Sequence, residues 1–242
     1  MDNSIYVTLS RELALFRDMD VAANNVANAN TTGYNAEHIL FNTYVTKDIS
    51  QGQRSTLDFA TNASTYRDMR NGPIRLTGND LDVAIQGDGY FTLDTPLGER
   101  YTRAGNFQID GAGTLVSSEG YPVLDATGQH ISMPENATSI QIGEFGNIKV
   151  NGEDLGSFGI AQFDNPQLLE RLSGTLFKSD VTPTPGENFR VAQGALESSN
   201  VQPVTELTHM MTLTHATADT AKFIEVVYDL ERKASNTWTQ QS

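Results

Sequence analysis

The sequence contains no cysteine. That excludes a disulfide framework, thiolate catalysis and zinc–thiolate sites, and leaves stability to packing alone. Basic residues are scarce: 16 Lys and Arg stand against 30 Asp and Glu, for a net charge of −14. Such a chain repels phosphate backbones, and with no basic stripe nucleic acid is excluded as a partner. No stretch approaches the ~18 consecutive apolar residues of a membrane span, so no direct membrane insertion is expected. Asp2 follows Met1 where a basic segment would open a secretory signal, and no apolar run with a small-residue cleavage site comes after it. The expectation is a chain without a cleavable signal peptide.

What is abundant is threonine (26), glycine (20) and asparagine (18), in a chain only 19% charged. This mix favours strands and turns over a helical enzyme. The 242 residues are enough for one large domain or two small ones, at about 150 residues each. A chain of this length can bury a core without staples.

Both ends nevertheless read as helices. Ile5, Leu9, Phe16, Met19, Ala23 and Val26 follow a 3–4 spacing over 3–28, with no Pro or Gly before Gly33. Thr31-Thr32-Gly33 is a natural stop. At the other end, residues 204–232 again lack Pro and Gly, after a helix-starting Pro203. Leu207, Met211, Thr214, Ala218, Ala221, Glu225 and Tyr228 form one stripe; Met210, Leu213, Phe223, Ile224, Val227 and Leu230 form its neighbour. Its many β-branched threonines lower helicity, so this helix requires a partner.

The middle is β-rich. Leu81, Val83 and Ile85 alternate, Gly87-Asp88-Gly89 turns, and Tyr90–Leu93 returns, which predicts a hairpin. Asp110-Gly111-Ala112-Gly113 predicts a second one, and short alternating strands continue to about residue 163. Asn165-Pro166 predicts a capped short helix ending at Gly174. Residues 35–75 carry little pattern beyond a candidate strand at Asn42–Thr46.

Catalytic constellations are missing. His209 and His215 sit six apart on a helix, about 240° around it, and cannot share a metal as an i,i+4 pair could. Asp80, Asp82, Asp88 and Asp94 fail the calcium-loop spacing, with Ala84 at the third ligand position. No Walker lysine or Gly-x-Ser-x-Gly elbow occurs. The sequence therefore predicts no catalytic residue, no cofactor and no metal.

The chain from Asn24 to Tyr34, Asn-Asn-Val-Ala-Asn-Ala-Asn-Thr-Thr-Gly-Tyr, resembles the signature of bacterial flagellar rod and hook proteins. So do Leu81–Phe91, Tyr101–Phe107 with Gly113–Val116 and Gly120–Leu124, and Gln193–Val201. Within that family, Met1–Val7 and Ala221–Glu225 look most like proximal-rod members, with distal-rod members the close rival. One departure is Asn35, where a basic residue usually follows the aromatic.

The resemblance implies a structural protein of the flagellar basal body, exported through the flagellar type III apparatus. It would assemble with copies of itself and with other rod proteins into a shaft that transmits torque and encloses a channel. The implied fold is α+β. Residues 1–34 and 201–242 would form a terminal helical domain, the two long helices pairing into a coiled-coil-like inner domain. Residues 35–75 would be an extended connector and 76–200 a central β-rich outer domain. The expected assembly residues are Asn24, Asn25, Ala27, Asn28, Asn30, Thr31, Thr32, Gly33 and Tyr34. The expected packing face of the last helix is Leu207, Met211, Ala218, Ala221, Ile224 and Tyr228. An enzyme acting on peptidoglycan would instead need two carboxylates paired at a cleft, and no motif places them so. A soluble binding module would explain the layout and leave the signature unexplained.

Overall fold

The computed structural model describes residues 2–48 and 55–239. The chain divides into two compact units. One contains residues 2–27, 37–66 and 202–239; the other contains 28–36 and 67–201.

The first unit holds helix α1 (Asp2–Ala27), the antiparallel ribbon of β1 (Glu37–Asp48) with β2 (Ser55–Arg67), and helix α2 (Pro203–Thr239). Pro203 suits the first turn of α2, where its missing N–H costs nothing. Glu206 lies in the same turn and complements the positive end of the helix dipole. The threonines of α2 do not break it, because Thr208, Thr212, Thr214, Thr217 and Thr220 each donate the hydroxyl to the carbonyl four residues earlier, at 2.8–3.0 Å.

The expected coiled-coil-like helical inner domain is not what forms. The unit is mixed, two helices plus a β-ribbon, and α1 packs on β1 as well as on α2. A coiled coil also needs its large apolar residues in the seam. Here Leu9, Leu13 and Phe16 are exposed, while among the described side chains of α1 the buried ones are the small Ala22 and the polar Asn25. On α2 the buried ones, among its described side chains, are Glu206, Leu213 and Thr220. The physical reason is that polar hydrogen bonds, rather than interlocked apolar side chains, bring these elements together.

The second unit is built from short antiparallel strands. They include β3 (Ile74–Leu76), β4 (Val83–Gly87), β5 (Tyr90–Thr95) and β6 (Gly98–Thr102). Strands β5 and β6 lie at the centre of a six-stranded sheet. Leu176–Lys178 and Glu170–Ser173 extend it beyond β6, and Ile160–Gln162 and Thr184–Pro185 beyond β5. Gln108–Ile109 and Leu115–Val116 pair around the expected second turn. The helix expected after Asn165 is a single 3-10 turn, Pro166–Leu168, capped by the Asn165 side chain, which accepts from Gln167 N at 3.2 Å.

The hairpin expected at 81–93 does not form. Strand β4 pairs with Phe189–Gln193, and β5 pairs with β6. Gly87 and Gly89 both adopt positive φ, 96° and 142°. Their carbonyls are taken by a buried arginine described below, so the turn directs the two strands into different sheets. Between them they enclose Val83, Ile85, Phe91, Leu93, Phe107, Leu115, Val123 and Phe158. Phe91 is fully buried and meets Phe107 edge-on, with ring centroids 4.9 Å apart.

Truncating this ring removes buried area and leaves a cavity. Phe91→Ala should lower the unfolding free energy of the second unit by about 3–5 kcal/mol. Urea denaturation followed by circular dichroism measures it, and a loss under about 1 kcal/mol would show that the core lies elsewhere.

Candidate assembly site: two anchors in one segment

The Asn24–Tyr34 segment runs from the end of α1 into the second unit, and each unit holds one anchor from it. In the first unit the anchor is Asn25, only 1% exposed. Its Nδ2 donates to Glu37 O at 2.8 Å and to Glu206 Oε2 at 3.3 Å, and its Oδ1 accepts from Glu37 N at 3.0 Å. One carboxamide thus ties α1 to the start of β1 and to the first turn of α2. Only a side chain with both donor and acceptor can serve a backbone N–H and C=O together. Beside it, Ala22 is 2% exposed, and its small side chain lets neighbouring elements approach.

In the second unit the anchor is Gly33. Its φ is +70°, a conformation that costs an L-residue about 1–2 kcal/mol. A Cβ there would stand 2.5 Å from Ala104 N, a backbone atom that cannot swing away. Gly33 N donates to Glu197 O at 2.8 Å. The chain leaves the helix through Thr31 N donating to Asn28 O at 3.0 Å, with the Thr31 hydroxyl 3.2 Å from Asn28 Oδ1.

Behind Gly33 lies a buried ion pair. Arg103 Nε stands 3.0 Å from Glu197 Oε2, with side chains only 5% and 3% exposed. Arg103 Nη1 donates to Gly87 O (2.9 Å) and Gly89 O (2.6 Å), and Nη2 to Asn71 Oδ1 (2.7 Å). The other Glu197 oxygen accepts from Gly72 N at 3.0 Å. Tyr34, also buried, receives the Arg171 guanidinium over its ring at 4.3 Å, and Asn35 O accepts from Arg171 Nη2 at 2.7 Å. The cation beside the aromatic therefore comes from residue 171. Asn200 closes the junction: its Oδ1 accepts from Ala36 N (2.7 Å), and its Nδ2 donates to Asp68 O and Arg70 O.

The remaining expected residues are distributed differently. Ala27 and Asn30 are exposed, as is Asn24; Asn28, Thr31 and Thr32 are half-buried. On α2, Leu207, Met211, Ala218, Ala221 and Tyr228 are exposed and Ile224 is half-buried. Arg103, Glu197 and Asn200 had not been singled out. The available signal was a charged residue inside each of two otherwise weakly charged motifs. Among the described residues no group of His, Asp and Glu is arranged to hold a metal ion.

Comparison with known proteins agrees with this arrangement of motifs. Residues 5–35 match the family model described as flagella basal body rod protein. Residues 84–150 match the flagellar hook protein FlgE/F/G D1 domain, and 192–237 the flagellar basal body rod FlgEFG protein C-terminal. The chain is 35% identical to the flagellar basal-body rod protein FlgF of Caulobacter vibrioides, over 97% of both chains. It is 38% identical to FlgF of Mesorhizobium japonicum over 91% of both. It is also 32% identical to the flagellar basal-body rod protein FlgG of Bacillus subtilis, over 93% of this chain and 94% of the relative.

Gly33→Ala should destabilise the second unit by about 2 kcal/mol or more, through the disfavoured backbone conformation and the clash with Ala104. Glu197→Ala should cost about 3–5 kcal/mol, because Arg103 is left buried without its counter-charge. Thermal unfolding of both variants measures this. A Gly33→Ala protein melting with the wild type would mean that the 33–104 contact carries no weight.

Proposed function

The chain belongs to the flagellar basal-body rod proteins, a family of structural subunits and not of enzymes, and from that premise we propose that it is a subunit of the proximal rod. In this reading it assembles with copies of itself and with other rod and hook proteins into the shaft that carries torque from the motor and encloses a channel. The observation that carries the assembly reading is the apolar surface of the two terminal helices. Leu9, Leu13 and Phe16 on α1, and Val204, Leu207, Met211, Phe223, Val226, Tyr228 and Leu230 on α2, stand exposed. Leu9, Leu13 and Phe16 recur at the i, i+4, i+7 spacing of one helix face, and an apolar stripe left exposed in this way marks an interaction site. A repeated heterologous contact that does not close produces a helical assembly.

The proximal assignment is supported by the 35% and 38% identity to FlgF proteins, against 32% to the FlgG of Bacillus subtilis. Export through the flagellar type III apparatus fits a subunit delivered to the growing structure. No described helix is long and apolar enough to cross a membrane. The Asn24–Tyr34 segment then has a mechanical role: Asn25 fixes its start within the first unit, and Gly33 fixes its end within the second.

Leu13→Asp and Met211→Asp test the assembly surface. Both positions are more than half exposed, so each substitution should change monomer stability by no more than about 0.5 kcal/mol. Each should abolish or severely reduce swimming in soft agar and the recovery of the chain in purified basal bodies. Normal motility in both strains would remove the helices from the assembly interface.

A further inference from the structure

The chain contains two Asn-Gly dipeptides, Asn71-Gly72 and Asn151-Gly152. In such a pair the glycine amide nitrogen can attack the asparagine carboxamide carbon, because no Cβ on the second residue shields the approach. The rod reading uses neither pair for this chemistry, and the fold treats them in opposite ways.

At Asn71-Gly72 the attack is blocked. Gly72 is buried, and its N–H donates to Glu197 Oε1 at 3.0 Å. To attack, that nitrogen must give up its proton and carry negative charge beside a buried carboxylate, which opposes it. The Asn71 carboxamide is held as well: Oδ1 accepts from Arg103 Nη2 at 2.7 Å, and Nδ2 donates to Gly87 O at 3.3 Å.

Asn151-Gly152 is the two-residue turn between the strands Asn147–Val150 and Glu153–Ser157, with Val150 opposite Glu153. Both turn residues take positive φ, 54° and 90°, and Asn151 is the one non-glycine residue to do so among the described residues. Both are exposed, and a Cβ placed on Gly152 would meet nothing within 4 Å. Gly152 N makes no hydrogen bond to the protein among the described residues. Asn151 Oδ1 accepts two backbone N–H groups, from Thr138 at 3.0 Å and from Ser139 at 3.1 Å. Such donors polarise the carboxamide and stabilise the charge that its oxygen carries when the carbon becomes tetrahedral. Nδ2 donates to Asn136 O at 2.9 Å, which ties the turn to the 136–139 loop.

We propose that Asn151 is a site of spontaneous covalent modification, where the folded chain converts its own asparagine to aspartate and isoaspartate. Gly152 N loses its proton to water and bonds to Asn151 Cγ. The Cγ–Nδ2 bond breaks, and Nδ2 leaves as ammonia after taking one proton back from water. A second water molecule then opens the cyclic imide. Opening at Cγ gives aspartate on the ordinary backbone; opening at the Asn151 backbone carbonyl gives isoaspartate, with the chain running through Cβ. One water is consumed, one ammonia is released, and nothing is oxidised or reduced. Either product adds a negative charge and deletes the donor to Asn136 O, so the tie to the 136–139 loop changes irreversibly. None of this rests on the rod reading.

Peptide mapping by mass spectrometry tests the site, on full-length chain aged for weeks in mildly alkaline buffer and, in parallel, in urea. In the folded chain the peptide containing Asn151 should convert at least tenfold faster than the one containing Asn71, yielding both aspartyl and isoaspartyl forms. In urea, where both pairs lose their surroundings, the two rates should agree within a few-fold. Asn151 converting no faster than Asn71 in the folded chain would overturn the site, as would conversion tenfold slower folded than in urea. A tenfold difference that persists in urea would also overturn it, because local sequence rather than the fold would then select Asn151.

Discussion

The second unit depends on one buried ion pair. Taking Arg103 and Glu197 out of water costs several kcal/mol per ion unless each is compensated. Compensation is nearly complete: the guanidinium donates to Glu197, to two turn carbonyls and to Asn71, and the second carboxylate oxygen accepts from Gly72 N. Those partners come from three separate parts of the chain: 71–72, 87–89 and 197. The turn carbonyls set the split between β4 and β5. Asn71 and Gly72 lead into β3, and Glu197 ends the strand that pairs with it. The Glu197 backbone then accepts the N–H of Gly33. Segments far apart in sequence are thus fixed by two charges.

The first unit solves a different problem. Its helices and ribbon meet through Asn25, a neutral side chain working in both directions, and leave much of their apolar surface uncovered. For a monomer this is poor economy; for a polymer subunit it is the source of association energy. About 25 cal/mol is gained for each Å² of apolar surface removed from water, and the gain recurs at every copy along an assembly. The strongly acidic balance of the chain opposes association between monomers at long range. Specific short-range contacts are then needed to hold copies together.

The two helices were legible because period and punctuation agree: a 3–4 apolar spacing, with no Pro or Gly from Asp2 to Gly33 or after Pro203. What lay beyond the sequence was which face of α2 is covered. Hydropathy ranks Leu207 and Met211 above Glu206 and Thr220, yet the latter are buried. The burial of Glu206 is compensated by donation from Asn25, and that of Thr220 is made tolerable by the bond of its hydroxyl to Ala216 O. The strands around Gly87-Asp88-Gly89 were legible from alternation, but their partners were not. Alternation marks a strand and is silent about a mate at Phe189–Gln193, a hundred residues away. Gly33 could be read as a helix stop. Why no other residue would serve follows only from the Arg103–Ala104 peptide against which it lies.

The central claim is that a chain anchored in this way is a building unit of the rod, with its exposed helix faces as the contacts. Electron cryomicroscopy of purified basal bodies tests it most directly. The account predicts density for this chain in the rod layer, with Leu9, Leu13 and Phe16 of α1 and Leu207 and Met211 of α2 covered by neighbouring subunits. A map in which the chain is present while those side chains face solvent, or one from which it is absent, would contradict it.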